Sequence, residues 1–170
     1  MSARAASVWS LRLIAACTLT LLLAACGFHL RGPAELPPQM ARTYVSGVGP
    51  GTTLARALRQ ALRTSGVQVV DNAQNATAVL RVDAYRASRN VLSLTDTGSV
   101  AGYQLLSVLE FSVHAVNGNW HLPKQRLQVQ REYSYSDAQL LGKTDEAAQL
   151  RKAMKYQLAN LAMLRLQARK

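Results

Sequence analysis

The chain has 170 residues, 49% apolar and 17% charged, with 20 Lys+Arg against nine Asp+Glu for a net charge of +11. That apolar content excludes a disordered chain, and the length excludes an assembly of several large domains. Cys17 and Cys26 are the only cysteines, too few for a disulfide framework.

Residues 1–25 read as a secretory signal. Arg4 and Arg12 precede an uncharged apolar run from Leu13 to Ala25, shorter than a bilayer-spanning helix needs. The run ends in Leu23-Ala24-Ala25-Cys26, which resembles the lipobox of bacterial lipoproteins. In that class the cysteine thiol receives a diacylglyceryl group, the signal is cut before it, and the new amine is acylated. The resemblance implies lipidation at Cys26 and an anchor worth about 0.8 kcal/mol for every buried methylene. Gly27, where an Asp usually means retention at the inner membrane, implies the outer membrane, with the protein facing the periplasm. Loss of the signal leaves 145 residues with 18 Lys+Arg and nine acids, or +9. Inside a cell that balance suggests nucleic acid; export removes this partner and leaves lipid phosphates and other envelope anions.

Residues 26–42 read as a lipidated tether and linker, since Pro33, Pro37 and Pro38 favour extended chain. A single domain is expected over 43–170. Thr43–Ser46 reads as a short strand, followed by the turn residues Gly47 to Gly51. Thr52 caps a helix whose apolar stripe is Leu54, Leu58, Ala61 and Leu62, with Arg56, Arg59 and Arg63 on the other side. Gly66 ends that helix, and Val67–Val70 forms a strand parallel to the first. Three longer strands alternate. In Ala78–Arg86, Leu80, Val82 and Ala84 share a face opposite Arg81, Asp83 and Tyr85. In Val100–Val116 the odd members Tyr103, Leu105, Leu109, Phe111 and Val113 oppose Gln104, Glu110, Ser112 and His114. In Arg126–Tyr135, Leu127, Val129, Tyr133 and Tyr135 oppose Gln128, Gln130, Glu132 and Ser134. Asn117-Gly-Asn119 turns the chain between the last two, in a connection extending through Pro123. Thr144-Asp145-Glu146 opens a closing helix with a seam of Leu150, Met154, Leu158, Leu161 and Leu164. The expected fold is α+β: two helices packed on one face of a mixed, mostly antiparallel sheet of four or five strands.

Catalytic and metal patterns are missing. His114 and His121 lack a cysteine or acidic cluster to complete a metal site, no Gly-x-Ser-x-Gly elbow occurs, and the carboxylates are scattered. Gly47-Val-Gly-Pro-Gly51-Thr52 lacks the spacing and the lysine of a phosphate loop. No catalytic residue, metal or cofactor is therefore expected. Arg86 and Arg89 at one strand end, Lys124 and Arg126 at another strand start, and Lys143 beside the last helix are the candidates for an anion-binding surface.

Cys26-Gly-Phe-His-Leu-Arg31 resembles the mature N-terminus of the LptE family of lipopolysaccharide-assembly lipoproteins. The order of strand, helix, strands and closing helix is similar to that family's. So are Leu54–Val70, Ala101-Gly-Tyr-Gln104, and the segment from Asp137 to Glu146, where a lysine is implicated in touching lipopolysaccharide. The resemblance implies a non-enzymatic plug within the LptD β-barrel that helps the barrel fold and aids lipopolysaccharide delivery to the outer leaflet. Lys143 would then be a ligand contact. The family's basic residue before the long strand falls near Leu94 to Asp96, which leaves Arg86 or Arg89 as substitutes. The rivals are a lipoprotein of a different envelope assembly machine and a cell-wall enzyme.

Overall fold

The computed structural model describes residues 36–135 and 140–168, so Cys26, the signal and most of the tether lie outside the described residues. The described chain runs β1 (Arg42–Ser46), α1 (Thr53–Thr64), β2 (Gln68–Val70), β3 (Ala78–Leu94), β4 (Val100–Ala115), β5 (His121–Ser134) and α2 (Leu140–Gln167). The strands form one sheet in the order β2-β1-β3-β4-β5. β1 is parallel to both β2 and β3, whereas β3–β4 and β4–β5 are antiparallel. The sheet is therefore mixed rather than mostly antiparallel. Its first half is made by a crossover, which can only join parallel strands, and its second half by hairpins.

Local chemistry accounts for the crossover helix. The Thr52 hydroxyl accepts a bond from the Ala55 N–H at 3.2 Å, capping α1. At the other end Gly66 takes φ +81°, and the N–H groups of Gly66 and Val67 return to the carbonyls of Arg63 and Leu62, both at 3.0 Å. This double bond pattern satisfies carbonyls that the helix leaves open. Leu54, Leu58, Ala61 and Leu62 are buried as the periodicity required, while Arg56 and Arg63 are exposed.

Both helices contribute to one core. It joins Leu58 and Leu62 of α1, Met154, Leu158 and Leu166 of α2, and Val45, Leu80, Phe111 and Leu127 of the sheet. These strand residues share a face, so the opposite face of the sheet is bare of helices among the described residues. Pro38–Met40 makes one turn of 3-10 helix instead of extended linker, with Met40 wholly buried. Proline presets the backbone angle that such a turn needs at its start.

Four further details differ from the sequence reading. A bulge between Val82 and Ala84 shifts the phase of β3, so Tyr85 pairs with Leu109 on the core side and Ala84 pairs with Glu110 on the bare side. The hairpin turn spans 116–120, and Pro123 lies within β5, beside a register shift opposite Ser112. An edge strand tolerates a missing N–H there. α2 begins at Leu140 rather than Thr144, because Gly142 within a helix costs only about 1 kcal/mol and its neighbours favour helix. In its last turns the seam passes through Ala162, Met163 and Leu166, leaving Leu164 exposed.

Candidate functional site

The long antiparallel strands carry a group of aromatic rings at one end. At the far end of β4, Tyr103 lies on the core face and pairs in register with Val91 of β3 and Tyr133 of β5. Its ring stacks on Tyr133 with centroids 5.7 Å apart and meets Tyr135 edge-on at 5.1 Å. Arg89, two residues before Val91 on the same face, sets its guanidinium carbon 4.4 Å from the Tyr103 ring centre, a cation–π contact. The first turns of α2 close this end of the sheet and bring Lys143 and Arg151 to the same place. The result is a cleft of about 190 Å³ walled by Arg89, Tyr103, Tyr133, Tyr135, Lys143, Thr144, Ala147 and Arg151.

Lys143 is held rather than free to wave in solvent. Its side chain is 17% exposed, and Nζ donates to Glu146 Oε2 at 2.9 Å and to Ser134 Oγ at 3.4 Å. Three cations face the cleft and Glu146 offsets one of them. Lys143 also sits in the first turn of α2, where the helix's positive end reinforces the charge. Such a cleft suits an anion bearing a flat or ring-shaped body: the cations form charge-assisted hydrogen bonds, and the rings supply apolar area with polar edges.

The five basic residues singled out from the sequence divide between two faces. Arg89 and Lys143 share the cleft. Arg86, Lys124 and Arg126 gather on the bare face around Glu110, at 3.4, 3.9 and 3.2 Å from its carboxylate oxygens. Arg86 and Arg89 part company because residues three apart in a strand point to opposite faces. The tyrosines were read from the sequence only as apolar strand members. Their clustering at one strand end, at positions 103, 133 and 135, was the available signal for a site.

Wider grooves of about 450 and 540 Å³ flank Tyr156 and Asn160 along α2. The second places Arg131 and Lys152 beside the single ring of Tyr156, whereas the cleft sets three cations among three rings. His114 and His121 are cross-strand partners, and no group of three His, Cys, Asp or Glu residues able to hold a metal occurs among the described residues. No described helix is long and apolar enough to cross a membrane.

Comparison with known proteins is consistent in direction. Residues 40–166 match the family model described as "LptE: Lipopolysaccharide-assembly". The LPS-assembly lipoprotein LptE of Yersinia enterocolitica is 31% identical over 140 residues, covering 82% of this chain and 67% of that one. The protein of the same name from Pectobacterium atrosepticum is 36% identical over 94 residues, 55% of this chain and 51% of its own length. Among solved structures, rare lipoprotein B from Shewanella oneidensis superposes with a TM-score of 0.62 at 31% identity, over 75% of this chain and 93% of that one. A minor lipoprotein from Acinetobacter baumannii, at 23% identity and a TM-score of 0.63 over 76% of this chain and 92% of that one, shares the fold.

Proposed function

The chain belongs to the LptE family of lipopolysaccharide-assembly proteins, and we propose on that premise that it is an outer-membrane lipoprotein, anchored through Cys26, that plugs the LptD β-barrel and receives lipopolysaccharide in the Arg89–Lys143 cleft. The observation that carries the ligand reading is the convergence of Arg89, Lys143 and Arg151 on a cleft walled by three tyrosines. A phosphorylated sugar headgroup has the matching chemistry, with phosphate for the cations and a ring for the aromatic walls. The tether fits anchoring, since a single soluble domain otherwise has no hold on a membrane. A barrel lumen is polar, and the bare sheet face, bearing Gln104, Gln128, Gln130 and the Glu110 cluster, offers hydrogen bonds and ion pairs to such a wall.

The reading is tested by reversing charge on each face separately. Lys143→Glu and Arg89→Glu should weaken lipopolysaccharide binding by about tenfold or more each, the scale of one charge-assisted contact. Arg86→Glu and Arg126→Glu, on the other face, should change it by less than about twofold. Equal effects from both pairs would reduce the cleft to general electrostatics. Copurification of the tagged chain with a β-barrel from detergent-solubilised outer membranes tests the plug; recovery with a different envelope machine would replace it.

A further inference from the structure

β1 covers only the start of β3: the two pair from Thr43↔Ala78 to Ser46↔Arg81. At Gly47, with φ +76°, the chain swings away, so close to β3 that an added Cβ would strike the Val82 carbonyl oxygen. Beyond that point β3 runs on from Asp83 to Leu94, bonded to β4 on one side and to no described strand on the other. At about 3.3 Å per residue this open edge is roughly 40 Å long, and in an antiparallel strand about every second residue points its N–H and C=O outward.

Open edges are hazardous, and the other long edge of this sheet is guarded. β5 carries Pro123, a register shift, and the cations Lys124, Arg126 and Arg131. β3 has no proline from Ala84 to Leu94 and pairs without a break from Ala84 to Val91; its register shifts in this stretch fall only after that, between Val91 and Leu94. It becomes more apolar toward its end, where Val91, Leu92 and Leu94 are 54%, 46% and 60% exposed. It bears Arg86 and Arg89 but no acid. Two copies paired edge to edge would set these acid-free basic strands against each other, a like-charge arrangement that disfavours self-association. The complementary occupant is different: an extended segment with acidic side chains to meet the arginines and apolar ones to meet Val91 and Leu94.

We propose that the outer edge of β3 from Ala84 to Leu94 is a strand-addition site, taking an extended, acid-bearing segment of a partner polypeptide as a sixth strand. Backbone bonds supply the hold and the basic side chains select the partner. The site is separate from the lipid cleft, although Arg89 borders both.

The test is hydrogen exchange, resolved to single amides, on the tagged lipidated chain in whatever complex it forms when purified in mild detergent, compared with the same chain overproduced alone. Strand addition slows exchange by about tenfold or more at alternate amides between Ala84 and Val91, where pairing with β4 is unbroken, because the inward-facing ones are already bonded to β4. Ser88→Asp with Asn90→Asp, outside the cleft, should abolish that protection and release the partner, while Ser88→Lys with Asn90→Lys should preserve both. Unchanged exchange along this edge in the complex overturns the proposal, as does protection traced to a second copy of the chain. A complex that contains the barrel but leaves the edge unprotected refutes strand addition and spares the plug. Protection conferred by a non-barrel protein does the reverse.

Discussion

Gly47 is the residue whose replacement should most sharply expose how β1 and β3 are joined. An alanine there would place its Cβ 2.2 Å from the Val82 carbonyl oxygen and 3.1 Å from the carbonyl carbon, at a backbone φ of +76°. Two costs add. The left-handed conformation penalises a non-glycine residue by about 1–2 kcal/mol. The clash is with backbone rather than a flexible side-chain tip, so one strand must move, at about 1–3 kcal/mol for overpacking of this kind. The sum is about 2–5 kcal/mol. Gly66 provides the control: its φ is +81° but its Cβ would meet nothing within 4 Å, so Gly66→Ala carries the first cost alone. Gly51, without positive φ and with no neighbour within 4 Å, carries neither cost, and alanine there should be neutral or stabilise by up to about 1 kcal/mol. Thermal unfolding followed by far-ultraviolet circular dichroism should therefore rank the three. At roughly 4 °C per kcal/mol for a domain of this size, Gly47→Ala loses about 8–20 °C and Gly66→Ala about 4–8 °C. Equal melting of the Gly47 and Gly66 variants would mean that β1 does not approach Val82 as closely as described.

Three other outcomes are expected. Leu158→Ala, at a fully buried position, should cost about 2–5 kcal/mol in urea denaturation, whereas Leu164→Ala, 46% exposed, should cost less than about 1 kcal/mol; comparable losses would put the α2 seam elsewhere. Glu110→Ala leaves Arg86, Lys124 and Arg126 facing one another and should destabilise by about 1 kcal/mol at low salt, with the loss shrinking as salt screens the cations; a salt-independent loss would assign Glu110 a packing role. Tyr103→Ala removes the platform under Arg89 and should weaken lipopolysaccharide binding several-fold with the cleft's cations still present; undiminished binding in a titration would leave the rings out of recognition.

What was legible in the sequence follows from how local each cause is. α1 could be read almost residue by residue because its determinants lie within it: the Thr52 cap, the Leu54–Leu58–Leu62 stripe and the Gly66 stop. β4 was nearly as plain, since the alternation from Tyr103 to Val113, interrupted only at Leu106-Ser107-Val108, needs no knowledge of its neighbours. β3 was not. The Val82/Ala84 bulge is one extra residue that inverts the faces of everything after it, and nothing in Val82-Asp-Ala-Tyr85 announces which residue is extra. The start of α2 was misplaced because Thr144-Asp145-Glu146 has the chemistry of a cap, yet it lies in the second turn, where tertiary packing of Ala147 and Met154 sustains the helix.

The same logic explains why five basic residues looked like one patch and proved to be two. Alternation already put Arg126 with Gln128 on the polar side of β5, and Tyr133 with Leu127 on the apolar side. What the sequence lacked was the identity of the face that α2 would cover, and hence the side on which Lys143 would arrive. Once α2 lies over the apolar face, a division of labour follows from parity alone. Odd positions of the strand ends supply an enclosed cleft in which cations lie against tyrosine rings, with one acid, Glu146, among them. Even positions supply an open wall where one partly buried carboxylate lies within 4 Å of three exposed cations. A ligand entering the first meets rings and charge together; a protein wall meeting the second finds the charge already organised and partly neutralised, which lowers the cost of bringing a polar surface against it. A sheet with helices on only one face thus offers two chemically different surfaces.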